Sequence, residues 1–500
     1  MKAPARAAKP ASAALATLPD ARLLIGGRWV EGDGGRRHAV LDKFRLVPCT
    51  TLHLPSRAQV SEAVNAAQAA FRASRPAPHE PGPGRLTPHA RGAILDRAAN
   101  LLEQRSDELV RALQLEVGFP AGDGQGELRR CIATFRLSAE EARNFRGEMV
   151  PIEGAAGQAG RLGFTLRVPL GVVCAITPFN APLNTVAHKV APALAAGNAV
   201  VLKPSTNTPT AACIMAEALI AAGLPPGLIS VLHGGAETAG WLLDEPLVRF
   251  FAFTGSTEVG ESIQRRAGLR RTQMELGSIA FTLVADDADL ERALPKIVNA
   301  GYRKAGQVCT SIQTLLVQRA VFETVRERLT AMVRALPFGD PMDARTVVGP
   351  VISEAEARRI EAWVDEAVAR GARRLAGGPR QGAVVPPTLL VDVDDSMAVG
   401  CREVFGPVMT IAPYDTLDEA FARVNATPYG LATGFFTNRM ADALRAAREL
   451  EVGGVHINET SSSRVDVMPY GGSKASGFGR EGPHHAVREM SEERMVTILG

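Results

Sequence analysis

What this chain lacks narrows what it can be. Its six cysteines (Cys49, Cys131, Cys174, Cys213, Cys309, Cys401) are scattered and include no CxxC pair. Neither a disulfide framework nor a zinc site has the spacing to support it. No metal is expected, and a reducing compartment, the cytoplasm, fits best. No apolar run is long enough for a transmembrane span or a secretory core. Neither sign of charge dominates, since 56 Lys and Arg against 53 Asp and Glu give a net +3. That is too mild to call for nucleic acid or a membrane as partner. The GxGxxG dinucleotide fingerprint is absent, and so is any internal repeat.

The first twenty residues are rich in Ala and Pro, basic and nearly free of acids. They read as a disordered tail over 1–20, because the prolines would interrupt the amphipathic helix of a transit peptide. The remainder has a globular composition, 46% hydrophobic and 22% charged over 500 residues in all. That length exceeds one ordinary core, so two or more domains are expected.

Apolar positions from Pro88 to Leu115 recur at helical spacing, preceded by a proline-rich loop from Arg75 to Pro88. Strand and helix signals then alternate. GVVCAI (Gly171–Ile176), NAVVLK (Asn198–Lys203), LISVLHG and RFFAFTG (Arg249–Gly255) are short apolar runs. Helical stretches lie at Pro209–Ala222 and at STEVGESIQRRA. This spacing predicts a parallel doubly wound α/β sheet, a frame suited to a dinucleotide. The alternation restarts at FTLVA (Phe281–Ala285) and continues through TLLVQ, a helix over Ala320–Arg334, and VMTIAPY, which predicts a second α/β domain. Phe145–Val168 is Gly-rich and interrupts the first series as a possible hairpin arm.

Two stretches carry chemistry. AGQVCTS (Ala305–Ser311) holds a candidate thiol nucleophile, Cys309, and MELGS (Met274–Ser278) a candidate carboxylate base, Glu275. Alone, Cys309 reads equally as a small core hydrophobe. Gly306, Gln307, Thr310 and Ser311 place polar or small groups where a core cysteine has apolar ones, and favour an accessible thiol in a thiolate-promoting setting. Glu275 is either a solvated strand end or a carboxyl with a raised pKa between Met274 and Leu276. FTGSTEVG (Phe253–Gly260) follows a strand and opens a helix, with Ser256 or Thr257 as its cap, so that the helix N-terminus can approach a pyrophosphate. Lys203 ends a strand, as a ribose contact or a surface lysine. Asn180 in ITPFNAP is an oxyanion donor or a turn residue.

Together PFN, KPS, FTGSTEVG, MELG, GQVC, EVFGP (Glu403–Pro407) and PYGGSKASGFGREG (Pro469–Gly482) resemble, in order, the NAD(P)-dependent aldehyde dehydrogenase superfamily from about Gly26 to Thr497. The resemblance implies that Cys309 forms a thiohemiacetal and then a thioester. Asn180 and the Cys309 N–H would hold the oxyanion, and Glu275 would activate the hydrolytic water. It assigns Lys203 and Glu403 to the cofactor's riboses, Ser256 to its pyrophosphate and Phe405 to the nicotinamide. Thr177, Pro178, Phe179, Ser205, Thr206, Gly255 and Gly277 are implied around the same NAD or NADP, with Phe179 also beside the substrate. The implied fold has a Rossmann-type cofactor domain (21–147 and 168–277), an α/β catalytic domain (278–483) and a β-arm (148–167 and 484–500) for homodimers or homotetramers.

Three departures stand out. Thr206 replaces a glutamate of many NAD-preferring members, removing charge repulsion against a 2′-phosphate, so NADP is expected to be accepted. Ser278 replaces a second glycine and Lys304 a common asparagine. The segment SSSRVDVMPYGG (Ser461–Gly472) resembles the branch oxidising lactaldehyde, phosphonoacetaldehyde, sulfolactaldehyde or glyceraldehyde 3-phosphate, which implies a short polar or anionic aldehyde. Val308 is apolar where some phosphonate-oxidising relatives carry arginine. Arg464 is a candidate for the substrate's tail, or a salt-bridged loop arginine. Two other readings are a CoA-acylating semialdehyde dehydrogenase, disfavoured by Glu275, and a non-catalytic structural relative, disfavoured by the intact Cys309, Glu275, Asn180 and Lys203 set.

Overall fold

Runs that are apolar at all or all but one position, such as Val172–Ile176, Ala199–Lys203 and Ala280–Val284, are buried on both faces. Parallel strands covered by helices need that pattern. The computed structural model describes residues 17–75 and 86–499; most of the N-terminal tail and of the proline-rich loop lies outside the described residues. Two large sheets result. The first has eight strands in the order Arg28–Val30, Leu23–Ile25, Ile229–Val231, Ala199–Lys203, Val172–Ile176, Val248–Thr254, Arg271–Glu275 and Gly477–Phe478. Its five central strands run parallel, while Leu23–Ile25 and Gly477–Phe478 join antiparallel. The second has seven strands, from Arg373–Ala376 through Thr388–Val391, Val408–Tyr414, Ile312–Gln318, Ala280–Val284 and Ala432–Phe436 to Gly454–Ile457. Only its edge strand Arg373–Ala376 is antiparallel.

Several expectations are corrected. The helical stretch from Pro88 is two helices, Pro88–Gln104 and Ser106–Glu116, broken at Arg105. There the guanidinium turns to Glu108 and Glu217, both at 2.7 Å. Within the expected tail, residues 17–20 are tied down, because Leu18 N–H donates to Cys49 O (2.7 Å) and Thr50 Oγ1 to Pro19 O (2.6 Å). Gly477–Phe478, expected in the catalytic domain, adds to the first sheet. Helix Pro483–Glu489, mostly assigned to the arm, precedes Met490, which joins Val487 in the first sheet's core. Ser256 occupies the cap position of helix Thr257–Ala267 without capping through its side chain. The Thr257 hydroxyl is also diverted, donating to Ala475 O and accepting from Gly277 N–H.

The Gly-rich interruption contains the strands Met149–Val150 and Arg161–Pro169. The latter pairs over nine residues with Ser491–Leu499 in a separate three-stranded sheet. Among the described residues no helix is long and apolar enough to cross a membrane, and no cluster of acidic, His and Cys side chains could hold a metal.

Candidate active site

In the first sheet the chain winds outward from Val172–Ile176 to Ile229–Val231, then restarts on the other side at Val248–Thr254. Open α/β sheets bind ligands at the carboxyl ends of strands beside such a reversal. Thr177, Lys203, Gly255 and Glu275 sit at four of those ends. A cleft of about 940 Å³ opens there and reaches the loop before Ile312–Gln318, bringing all the candidate residues into one wall system.

At its inner end lies Cys309, partly buried, with Sγ 2.9 Å from the Tyr470 hydroxyl. The loop before it is tightly folded. Lys304 and Ala305, both at φ 53°, take the left-handed conformation, and Gly306 follows at φ 68°. A Cβ on Gly306 would meet Gly406 O at 2.0 Å, so only glycine fits. Lys304 does not disorder this turn: its ammonium pairs with buried Glu127 and donates to Asn180 O at 3.4 Å. Asn180, 9% exposed, therefore uses its main-chain oxygen there and keeps its side-chain amide for the cleft.

The expected thiolate-promoting setting is not what the resting protein holds. Burial pushes the Cys309 thiol up to about 11, and the carboxyls of Glu275 and Glu403 add to the rise against the Tyr470 hydrogen bond and Arg464. Glu275 is buried, and burial together with neighbouring Glu481 raises it well above the carboxylate range. Its surroundings are thus charged as well as apolar. Burial would raise Glu481 too, but Lys189 and Arg464 outweigh it and keep that carboxyl ionised. Gly471 makes room for Glu275, since a Cβ there would fall 3.0 Å from Oε1.

Toward the outer end, the residues implied around a dinucleotide have the properties such a group needs. Thr177 Oγ1 is buried without a partner among the described residues, and the first turn of Thr257–Ala267 lacks a side-chain cap from Ser256. Lys203 donates to Pro204 O and Gly234 O, and burial brings its ammonium down to about 8. Glu403 accepts from Ser278 N–H at 2.9 Å and is raised to about 7, mainly by burial. A Cβ at Gly277 would lie 2.9 Å from Glu403 Oε2. Phe179 and Phe405 pack edge to face, centroids 5.7 Å apart. Ser205 and Thr206 line the cleft half-buried, and Gly255 turns into it. Ser278, the second departure, keeps its backbone role while its own buried hydroxyl has no partner.

Arg464 takes the salt-bridged alternative. Its Nη2 donates to Glu481 Oε2 at 2.6 Å and its guanidinium stacks over Tyr470. Three other cations line the inner end: Arg130 pairs with Asp466, Lys304 with Glu127, and Arg303 with no carboxylate among the described residues. Arg303 donates to Ser462 Oγ at 2.8 Å, and burial lowers its pKa. Sequence reasoning missed Arg303, Tyr470 and Glu481. Tyr470 and Glu481 sat inside a quoted motif, where a phenol among glycines was the available signal; for Arg303 there was none.

The comparisons with known proteins make the chain an oxidoreductase acting on aldehydes. Residues 29–496 match the model of the aldehyde dehydrogenase family, and the chain belongs to that family. A 3-sulfolactaldehyde dehydrogenase from Priestia aryabhattai is 44% identical over 477 residues, covering 95% of this chain and 97% of that one. Aldehyde dehydrogenase 21 from Physcomitrella patens, solved with the reaction product succinate, superposes with a TM-score of 0.92 at 35% identity, covering 97% and 98% of the two chains. An NADP-dependent glyceraldehyde-3-phosphate dehydrogenase from Bacillus halodurans, solved with NADP, gives 0.91 at 34% identity, covering 96% and 100%.

Proposed function

We propose that this enzyme oxidises a short anionic aldehyde to its carboxylic acid, with NADP or NAD as oxidant and Cys309 as nucleophile. The observation that carries the reading is the single cleft that joins Cys309, Glu275 and Asn180 to Lys203, Glu403 and the open end of helix Thr257–Ala267. Those outer groups suit two ribose diols and a pyrophosphate. When bound, the dinucleotide supplies the acceptor for a hydride.

The Cys309 thiol loses its proton to solvent, and sulfur bonds to the carbonyl carbon while the π pair moves to oxygen. Asn180 and the Cys309 N–H steady that oxyanion. Loss of hydride leaves a thioester. Glu275 then takes a proton from water as the water oxygen attacks, the C–S bond breaks and its electron pair returns to sulfur. Glu275 sharing the cleft with the thiol favours water over CoA as acyl acceptor.

Arg303 selects the substrate's charge. It is the inner-end cation not spent on a carboxylate, beside Ser462 and Thr310, whose hydroxyls lie 3.0 Å apart. An anionic tail would give that guanidinium a direct ion pair, whereas Asp123 and Glu127 act on it through space without a salt bridge among the described residues. The sulfonate of the Priestia relative's substrate and the succinate of the moss enzyme fit this charge. The three-stranded sheet, with Leu162, Leu166, Met495, Ile498 and Leu499 exposed, supports self-association as a homodimer or homotetramer.

The test is Cys309→Ala against Glu275→Gln. The first should abolish NAD(P)H formation; the second should give one equivalent and stall as an acyl-enzyme visible by mass spectrometry. Undiminished turnover by Cys309→Ala overturns the reading.

A further inference from the structure

We propose that Tyr470 is a further catalytic residue, whose hydroxyl donates to the Cys309 sulfur and steadies the negative charge that forms there when the thiol proton leaves and again when the C–S bond breaks. The inference rests on Cys309 being the nucleophile. It deepens that reading by naming the group that holds the sulfur's electron pair.

Geometry carries it. Tyr470 Oη lies 2.9 Å from Cys309 Sγ, and among the described residues no other side chain is hydrogen-bonded to that sulfur. Tyr470 is held at its ring and at its main chain. Arg464 lies over the ring, its guanidinium carbon 3.8 Å from the centroid. Arg464 is itself held by Glu481 at 2.6 Å. The main chain of Tyr470 exchanges two hydrogen bonds with that same Glu481, at 3.1 and 2.7 Å. A guanidinium over an aromatic face also draws electron density from the ring and sharpens the O–H as a donor.

The other charged groups felt at the sulfur divide by sign. Glu275 and Glu403 disfavour a thiolate, whereas Arg464 and Arg303 favour one. Buried among two carboxyls, a thiolate needs a donor in contact. Tyr470 supplies it.

Two moments of the cycle use this donor. Before addition the thiol proton has left to solvent, and sulfur carries the pair that will form the C–S bond. During hydrolysis the water oxygen bonds to the thioester carbon, its proton passes to Glu275, and the C–S pair returns to sulfur. In both, the phenol keeps its proton and donates only a hydrogen bond.

The experiment is the pH profile of Cys309 alkylation by iodoacetamide in the full-length protein. Peptide mass spectrometry separates Cys309 from exposed Cys401. Tyr470→Phe keeps the ring under Arg464 and removes the donor. It should raise the apparent thiol pKa by about one unit and slow alkylation at neutral pH about tenfold, the worth of one hydrogen bond to a charged group. Fluorescence of bound NADPH reports that the variant is folded. An unchanged profile, or faster alkylation, overturns the proposal. Should the variant not fold, replacing all four tyrosines with meta-fluorotyrosine acidifies the phenols and should lower the alkylation pKa. No shift there overturns it as well. Alkylation needs no turnover, so its outcome is independent of whether Cys309→Ala abolishes aldehyde oxidation.

Discussion

Arg464 and Glu481 form a buried ion pair, 2.6 Å between Nη2 and Oε2, with side chains only 15% and 2% exposed. Lys189 reaches the other Glu481 oxygen at 2.8 Å, so one carboxylate answers two cations inside the protein. Removing Arg464 leaves Glu481 with Lys189 as its remaining cation and takes away one hydrogen bond to a charged group, at a cost of about 1.5–3 kcal/mol. Arg464→Met should therefore lower the stability seen in denaturant titration. Its KM for anionic and for neutral aldehydes should move together. A selective rise in KM for anionic aldehydes, with stability intact, would return Arg464 to the role of tail contact.

Arg303 should show the opposite pattern. Arg303→Gln removes a cation that forms no salt bridge among the described residues, so stability should change little. Loss of a hydrogen-bonded charge contact is worth about 1.5–3 kcal/mol, or roughly ten- to a hundredfold in kcat/KM. That loss should fall on sulfonate- or carboxylate-bearing aldehydes and spare neutral ones of equal length. Equal losses for both classes would sink the assignment.

The two reactive groups are both raised, Cys309 to about 11 and Glu275 well above the carboxylate range, the latter by burial and then by Glu481. In the roles proposed above each works deprotonated, so raising the pH populates the active forms and kcat should climb on the alkaline side of neutrality. Glu481→Gln removes the neighbouring negative charge. The Glu275 pKa should then fall, and the rising limb of the kcat profile should move to lower pH. A limb that stays in place in this variant would disconnect Glu481 from the base.

Thr206 lies half-buried on the cleft wall with no charge to repel a 2′-phosphate. NADP should be turned over efficiently. Thr206→Glu should cut kcat/KM for NADP by at least about tenfold and leave NAD within a few-fold, since two like charges would then meet at short range. A variant unchanged with NADP would show that the adenosine end is gripped elsewhere.

Strand positions and motif order were legible because burial on two faces demands unbroken apolar runs, and those runs are visible residue by residue. Cys309, Glu275, Asn180 and Lys203 could be named for the same local reason: glycines, prolines and polar neighbours sit where a core would not tolerate them. The break at Arg105 was not legible in the helical spacing, and one partner of its guanidinium, Glu217, lies more than a hundred residues away in sequence.

The sequence by itself determined the α/β build and the class of cofactor, and it named the candidates for nucleophile and base, because all of these depend on short-range pattern. Only the tertiary structure decided how the cations and carboxyls share one another. Arg464, Arg130 and Lys304 form salt bridges with carboxylates elsewhere in the chain, while Arg303 forms none among the described residues, and that is invisible along the chain. The protonation of Cys309 and Glu275 was likewise decided in three dimensions. Desolvation and Coulomb terms depend on what surrounds a group in space, and here Tyr470, Glu481 and Glu403 arrive from far along the chain.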